Sequence, residues 1–555
     1  MGVRNRRARN ARDGALLVTW RTGAELNGNR LPEENVSVDI ERNRIEVTVP
    51  LEPGEETWRH YAITGLWDAN SRAFKQLQTQ ATEDQPGGGM TDEPPVFNVG
   101  FRDNDQEPNN GWRDGAQSEA LANRDISRFH ADIDFDVLRS GGSEYNVPET
   151  GFITRIYASH YQLGFGIEPG AGYVSAPTEI EPTLLAGRIH PYSIYIPDSY
   201  DPDDSAPLTV YLHGAGGNHT GVSDTLLRQL GEQRGAIMYM VNGRGGNIPY
   251  QNESELDVFE GLADATTRYN VDLDRMTVTG YSMGGYGTLK LTTQYPDLFS
   301  KGFAVASTPG NDPIENETDD QPSYHELTRI SDNCRTAEFL MWHGSNDAIV
   351  YPFEPEQYHQ ELVDRGYRHE YDVFFGQDHL SFAVIDEWGR GGDFLRGATA
   401  ERNPPQVTYR RVPEFDDERF DIAHDKAHWV SDIEVGEDAD SGLVDVRSGG
   451  YGESPPTVEN IRGTGTDPSP HLKRGIQWAE TIRDPPSENS LDVELKGVSE
   501  VTLWVVDAGL DPQEPIKLTV DSTSPTKVIL NDGNRSTAVN LPAGQSMRTV
   551  SLQES

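Results

Sequence analysis

The sequence predicts a mostly parallel, doubly wound α/β domain at residues 186–400, between a β-rich region at 1–185 and a β-sandwich-like region at 405–555. The first reason is length, since 555 residues and 61.6 kDa exceed what one core of about 100 to 200 residues holds. The second is that short apolar strands alternate with longer amphipathic stretches from about residue 190, as in a parallel sheet covered on both faces. The third is that strand-length apolar runs and turn signals dominate the outer regions.

The elements of the central region follow from these patterns in chain order. Strands are predicted at 192–196, 208–212, 236–241, 276–279, 302–306, 339–342 and 371–375. Helices are predicted at 256–269, 283–293, 355–365 and 380–388. The region ends at Asn403-Pro404-Pro405, because consecutive prolines continue neither a helix nor a central strand.

The outer regions have a different pattern. Residues 14–80 are predicted to form short strands, 83–95 a flexible connection and 116–123 a short helix. Beyond residue 405, strands are predicted at 428–430, 501–506, 516–520 and 527–530, separated by turns such as Ser448-Gly449-Gly450. This succession of short strands is typical of a β-sandwich.

The charge of the chain excludes several classes of partner. Acidic residues outnumber basic ones by 90 to 47, which gives a net charge of −43. Nucleic acids and anionic membranes are therefore not expected as partners, because their phosphates would be repelled. Only 8 of the 47 basic residues are lysines, and a surplus of carboxylates with scarce lysine indicates a halophilic protein, whose self-repulsion is screened by concentrated salt.

Cysteine content, hydropathy and the spacing of acidic residues exclude several kinds of site and segment. The single cysteine, Cys334, excludes an intramolecular disulfide and a cysteine-based zinc site, and is expected to be an ordinary core residue. No apolar run approaches the ~20 residues of a membrane-spanning helix. The apolar run at 15–20 is too short for a signal peptide, although the domain make-up suggests an extracellular or cell-surface protein. The acidic runs at 315–320 and 414–421 lack the spacing of a calcium loop.

The most informative motif is Gly280-Tyr281-Ser282-Met283-Gly284, between a predicted strand and a predicted helix. A serine nucleophile on a tight strand-to-helix turn needs small neighbours, because the turn brings other backbone close to it. The pentapeptide alone could be an ordinary helix-starting turn. Its position between strand and helix predicts that Ser282 is a nucleophile.

A second motif predicts the groups that would stabilise an oxyanion. The strand at 208–212 runs into His213-Gly214-Ala215-Gly216-Gly217. The backbone N–H of Ala215, or of its neighbour Gly216, and the N–H of Met283 are the predicted donors. A phosphate-binding loop is the alternative, but the lysine and hydroxyl residue of a Walker motif are missing.

The remaining catalytic residues should follow the nucleophile in the order carboxylate, then histidine. Asp347 comes just after the strand at 339–342, and His379 just after the strand at 371–375. His379 would then take the Ser282 proton while Asp347 holds the imidazole tautomer. Three side chains are rivals. Asp378 is expected to be a solvated loop carboxylate, and His343 and His213 could instead line the site.

These landmarks carry a family resemblance, which covers residues 185–397. Together with Asn242-Gly243-Arg244-Gly245, they resemble the α/β-hydrolase superfamily, in particular prolyl-oligopeptidase-like proteins and polyhydroxybutyrate-depolymerase or feruloyl-esterase-like proteins. The resemblance implies a serine hydrolase that forms an acyl-enzyme on a Ser282, Asp347 and His379 triad. Two features depart from it: the first 185 residues show no propeller repeat, and no disulfide can form.

The expected function is hydrolysis of a carboxylic ester, in a small molecule or a polymer, without a cofactor or a metal. A serine peptidase of prolyl-oligopeptidase type is the first alternative, since it would use the same triad. A surface-binding protein with a degenerate hydrolase domain is the second. The long segment 308–333, between two predicted core strands, is expected to form a lid over the site.

Overall fold

The fold is described from a computed structural model of the chain. The structure describes residues 187–553 apart from 245–248, 311–323 and 480–484, together with 125–140, 150–163 and shorter segments among the first 124 residues. The predicted connection at 83–95 lies outside the described residues, as does most of the helix predicted at 116–123.

The largest sheet has ten strands. In chain order they are β1 (Gly151–Leu163), β2 (Gly187–Ile196), β3 (Ala206–Leu212), β4 (Ile237–Met240), β5 (Val271–Tyr281), β6 (Lys301–Val305), β7 (Glu338–Gly344) and β8 (His369–Phe374), followed by β12 (Thr457–Gly465) and β13 (His471–Ala479). Their spatial order is β1-β2-β4-β3-β5-β6-β7-β8-β13-β12. The six central strands are parallel, and the two pairs at the edges are antiparallel.

Helices cover both faces of this sheet. One face packs against α1 (Glu253–Arg268), α2 (Met283–Gln294) and α3 (Phe353–Arg365), and the other packs against α4 (Ser381–Ile385), α5 (Gly389–Leu395) and the helical segment 224–234. Side chains along a strand alternate between the two cores, so that Val210 and Leu212 face one side and Tyr211 the other. The predicted α/β-hydrolase fold is thus confirmed, with strands at all seven predicted positions.

Two predicted elements differ from the structure. The helix predicted at 380–388 is broken, because Asp386 adopts a left-handed conformation with φ 48°. Its carboxylate accepts hydrogen bonds from Ser223 and from the Trp388 indole, which fixes the break between α4 and α5. The strand predicted at 428–430 begins only at Val430, since His428 has φ 55° in a turn.

The sheet extends beyond residues 186–400 on both sides. Strand β1 comes from the predicted N-terminal region, and the β12-β13 hairpin comes from the predicted C-terminal region and pairs with β8. A buried ionic cluster fixes β1: Arg244 contacts Asp257 and Glu260 of α1, and also donates to the hydroxyl of Ser159 in β1.

The C-terminal residues form two further sheets around one core. Their strands are β9 (Gln406–Arg411), β10 (Val430–Val435), β11 (Gly442–Ser448), β14 (Ser490–Lys496), β15 (Val498–Trp504), β16 (Ile516–Ser522), β17 (Thr526–Asn531), β18 (Ser536–Leu541) and β19 (Gly544–Val550). The first sheet is ordered β9-β11-β14-β16-β19 and the second β10-β15-β17-β18. Residues of both sheets share one buried cluster, which includes Trp429, Leu503 and Leu518. Trp429 is fully buried, as expected for a packing residue.

Described parts of residues 1–150 consist mainly of short strands. These are Leu16–Thr19, Gly23–Leu26, Asn29–Arg30, Val36–Asp39, Arg44–Val47, Thr57–His60, Ile63–Thr64, Trp67–Asp68, Ala73–Phe74, Asn98–Val99 and Ala131–Asp134, with a helix at Phe135–Arg139. Across all the residues that the structure describes, no helix combines the length and the apolar character needed to span a membrane.

Candidate active site

Ser282 lies at the turn between β5 and α2. Its backbone is strained, with φ 57° and ψ −117°, and its amide donates to the Val305 carbonyl of the neighbouring strand at 2.8 Å. Because α2 begins at the next residue, the turn presents the serine at the carboxyl end of the parallel strands. The side chain is half-buried, so it can be approached by a substrate.

The glycines of the motif make this turn possible. A Cβ atom at Gly284 would overlap the Leu212 carbonyl oxygen of β3, and one at Gly280 would overlap the Gly284 carbonyl oxygen. Backbone from β3, β5 and α2 therefore meets at distances that exclude any side chain. This close approach is the physical reason for the spacing of the two glycines around Ser282.

His379 lies within hydrogen-bonding distance of the serine. The distance from His379 Nε2 to Ser282 Oγ is 2.9 Å, and the distance from His379 Nδ1 to Asp347 Oδ2 is 2.8 Å. With Nδ1–H donating to the carboxylate, Nε2 is free to accept the serine proton. The structure therefore brings Ser282, His379 and Asp347 into one hydrogen-bonded chain.

Asp347 is held by two amides of the loop that follows it. Its Oδ1 atom accepts hydrogen bonds from the amides of Ile349 and Val350, both at 2.9 Å. Burial alone would raise the pKa of Asp347, but the hydrogen bonds from His379 and from these two amides lower it below the ordinary value. A carboxylate that stays ionised in this position can stabilise a protonated His379.

The loops that carry Asp347 and His379 are bonded to each other. The amide of Ser345 donates to the Phe374 carbonyl and that of Asn346 to the Gln377 carbonyl, both at 2.9 Å. The Ser345 hydroxyl accepts from the Gly376 amide at 2.9 Å. These contacts set the separation of the two loops independently of the triad side chains.

The three rival residues have other partners. Asp378 is exposed and accepts from the Leu380 amide and the Ser381 hydroxyl within its own loop. His343 Nε2 is 3.0 Å from the Val350 carbonyl and 3.6 Å from Asp347, so it lines the carboxylate side of the site. Burial lowers the pKa of His343 and of His213. Both ring nitrogens of His213 lie 2.9 Å from backbone carbonyl oxygens, Nδ1 from that of Gly214 and Nε2 from that of Asn242.

The predicted oxyanion donors belong to the residue after the serine and to the turn after β3. Met283 is the first residue of α2, where the backbone N–H groups of a helix have no partner within it. Ala215 and Gly216 lie in a turn closed by a 2.9 Å hydrogen bond from the Gly217 amide to the Gly214 carbonyl. A Cβ atom at Gly214 would be 3.5 Å from the Ser282 Cβ, which shows how closely this turn approaches the nucleophile.

Tyr281 is a residue of the site that the sequence did not single out. Its hydroxyl donates to the backbone carbonyl of His379, and its ring meets the imidazole edge-on with centroids 5.8 Å apart. Burial raises the pKa of Tyr281, so the hydroxyl remains a donor. The variable position of the motif carries no signal for this contact, because it depends on a loop almost one hundred residues further along the chain.

We expect Tyr281→Phe to lower kcat by about three- to tenfold with little change in KM, because the variant loses a hydrogen bond that orients the His379 loop. Steady-state kinetics on a short ester would measure kcat and KM separately. Tyr451→Phe is the matched control, since its hydroxyl donates to the Asp507 carbonyl at 2.5 Å between two turns of the C-terminal region. An unchanged kcat in Tyr281→Phe would show that the contact does not position His379.

The segment predicted as a lid is described in part. Residues 311–323 lie outside the described residues, while Leu327–Arg335 forms a 3₁₀ helix. The amide of His325 donates to the Gln251 side chain at 3.2 Å and to the Tyr286 hydroxyl at 3.1 Å. The end of the segment is thus anchored on α2, one turn from Ser282. Closure over the site remains a prediction.

Fold and site together define an α/β hydrolase of the serine type. Residues 225–390 match the Prolyl oligopeptidase family, and this span includes Ser282, Asp347 and His379. This match agrees with the resemblance, which included prolyl-oligopeptidase-like proteins. The chain is 29% identical to dipeptidyl peptidase family member 1 of Caenorhabditis elegans over 146 residues. The aligned part covers 23% of this chain and 17% of that protein.

The solved structures that match part of this chain include esterases and a peptidase. A thermostable esterase is 19% identical, over 38% of this chain and 59% of its own, with a TM-score of 0.31. A ferulic acid esterase of Anaeromyces mucronatus is 18% identical. The match covers 44% of this chain and 91% of the esterase, with a TM-score of 0.31. The acylaminoacyl peptidase of Pyrococcus horikoshii is 16% identical. The match covers 50% of this chain and 46% of the peptidase, with a TM-score of 0.35.

Proposed function

We propose that this serine hydrolase cleaves an uncharged carboxylic ester through an acyl-enzyme on Ser282. The observation that carries the proposal is the hydrogen-bonded chain from Ser282 through His379 to Asp347. The strained backbone of Ser282 and the turn at Ala215 and Gly216 support it, because a nucleophile needs both an adjacent base and donors for the oxyanion.

In the first half of the reaction, Ser282 Oγ attacks the carbonyl carbon of the ester while His379 Nε2 takes its proton. Amides of Met283 and of Ala215 or Gly216 donate to the oxyanion that forms. The protonated His379 then gives its proton to the alcohol oxygen as the ester bond breaks. Asp347 stays ionised and stabilises the imidazolium throughout.

In the second half, water attacks the acyl carbon and His379 accepts a proton from it. Breaking of the bond to Ser282 Oγ releases the carboxylic acid, and the proton on His379 returns to the serine. The net reaction is ester plus water to acid plus alcohol, and no metal or cofactor enters any step.

An ester is proposed ahead of a peptide because of the loops around the triad. Residues 348–353 and 375–385, all described, contain one formally charged side chain, Asp378, so these two segments themselves provide almost no ion-pair partner for a charged peptide terminus. A serine peptidase is the second candidate, favoured by the family match at 225–390. The three-part division at 1–185, 186–400 and 405–555 remains part of the proposal, with the edge strands contributed from outside the central region.

The test is hydrolysis by the purified chain in molar potassium chloride, with nitrophenyl esters and peptide nitroanilides measured side by side. We expect serine-dependent turnover of the esters, absent in Ser282→Ala. Comparable turnover of the amides would assign a peptidase instead. Failure of every substrate to show turnover that depends on Ser282 would favour a non-catalytic binding protein.

A further inference from the structure

Large apolar side chains are concentrated in the exposed surface around the triad. In the described part of the chain, eleven large apolar side chains are exposed, and six of them lie between residues 349 and 384. We call these six the apolar rim: Ile349, Tyr351, Phe353, Phe375, Leu380 and Val384. Scattered exposed apolar residues are ordinary, but a cluster beside a candidate site indicates a binding surface.

The rim lies on the two loops that carry the acid and the base of the triad. Ile349 is 64% exposed, and its amide donates to the Asp347 carboxylate. Leu380 is 60% exposed and directly follows His379. The loops are themselves hydrogen-bonded to each other through Ser345 and Asn346, which places both halves of the rim beside the triad.

Local structure holds these side chains outward. The amide of Val384 donates to the Leu380 carbonyl at 3.1 Å, so the two residues are one helical turn apart on the same face. Val384 is 82% exposed. On the other loop, the rings of Tyr351 and Phe353 stack with centroids 6.0 Å apart. Two pairs of rim residues therefore have a defined local arrangement.

The charge of the rim contrasts with the rest of the chain. One quarter of all residues are charged, yet the 17 residues at 348–353 and 375–385 include only Asp378 among Asp, Glu, Lys and Arg. A ligand held on these two segments would contact mainly apolar side chains.

We propose that the apolar rim binds the apolar part of a long, uncharged ester substrate and so determines chain-length specificity. The proposal rests on the function proposed above, whose reaction occurs at Ser282. Apolar contact beside the triad stabilises the bound ester in proportion to the area removed from water. A short ester reaches only the triad, whereas a long one also covers the rim.

The test compares kcat/KM for nitrophenyl decanoate and nitrophenyl acetate, first below the aggregation concentration of the decanoate. We expect the wild type to prefer the decanoate, and Phe353→Ser/Val384→Ser to reduce the decanoate-to-acetate ratio by about tenfold. Val506→Ser/Met547→Ser is the matched control, because both residues are exposed and apolar but lie in the C-terminal region. The control should keep the wild-type ratio.

The outcomes separate this inference from the function on which it rests. Serine-dependent acetate hydrolysis with no preference for decanoate, or with a ratio unchanged by the rim variant, would overturn the rim while leaving the hydrolase intact. Loss of serine dependence for both esters would instead overturn the proposed function. A wild-type dimer that the rim variant converts to a monomer would assign the rim to self-association, against the proposal.

A second set of measurements identifies the source of the apolar group. Assays above the aggregation concentration distinguish a dispersed chain from an aggregated or polymeric surface. A decanoate preference already present for the dispersed ester supports binding of single chains. A preference that emerges only with aggregates would overturn the proposal, because the ligand would then be an aggregated or polymeric surface and not the apolar part of a single ester.

Discussion

Ser282→Ala is expected to reduce ester hydrolysis by on the order of 10⁴- to 10⁶-fold, because it removes the atom that forms the acyl-enzyme. His379→Ala should cost a similar factor, since the serine then has no base within 2.9 Å. The double variant should lose no more activity than either single variant. Because Ser282 and His379 act in the same step, removing the second of them has no further effect on that step. The residual catalysis would come from the oxyanion donors.

The measurement is kcat for a short nitrophenyl ester, with each variant checked by thermal unfolding. Ser522→Ala is the matched control, a serine whose hydroxyl donates to the Ser524 carbonyl at 2.7 Å in the C-terminal sheets. It should keep full activity. Retention of more than about one tenth of wild-type kcat by Ser282→Ala would refute the nucleophile assignment, and additive losses in the double variant would refute a shared step.

Local sequence patterns were enough to predict the central sheet and the three residues of the hydrogen-bonded chain. The reason is that each signal lies within a short stretch of sequence. Apolar runs predict the strands, a strand-to-helix turn marks Ser282, and Asp347 and His379 each follow directly after an apolar strand. In a parallel sheet the carboxyl ends of neighbouring strands meet at one edge, so the order along the chain also predicts proximity in space.

Long-range pairing could not be predicted in the same way. The β12-β13 hairpin pairs with β8 across about one hundred residues, and its alternating pattern does not say which sheet it joins. The same holds for Tyr281, whose partner is a backbone carbonyl in a distant loop. The break at Asp386 depends on Ser223, which lies on another element of the fold.

A buried ionic cluster, far more costly to break than a surface ion pair, connects the hydrolase helices to the C-terminal segment. Glu255 of α1 is fully buried, contacts the Lys290 ammonium of α2, and accepts from the Tyr295 hydroxyl at 2.6 Å. His424 lies between Glu255 and Asp416, at 2.8 and 3.0 Å. Burial alone would raise the pKa of Glu255, but Lys290 and His424 lower it well below the ordinary value.

Lys290→Met is expected to lower the free energy of unfolding by about 3 to 5 kcal/mol, because it leaves the Glu255 carboxylate buried with less compensation. Lys290→Met/Glu255→Gln should recover much of that loss, since no uncompensated charge remains. Urea denaturation at constant potassium chloride measures both. A single variant within 1 kcal/mol of wild type, or a double variant less stable than the single one, would contradict the account.

The same cluster predicts the direction of a pH effect. Burial alone would lower the pKa of His424, but Glu255 and Asp416 raise it above the ordinary value of 6.5. A raised folded-state pKa contributes stability that is fully present below 6.5 and is lost as the pH rises through the folded-state value. His424→Gln should therefore lose more stability relative to wild type at pH about 6 than at pH about 9. Equal losses at both pH values would mean that His424 acts through packing and not through its charge.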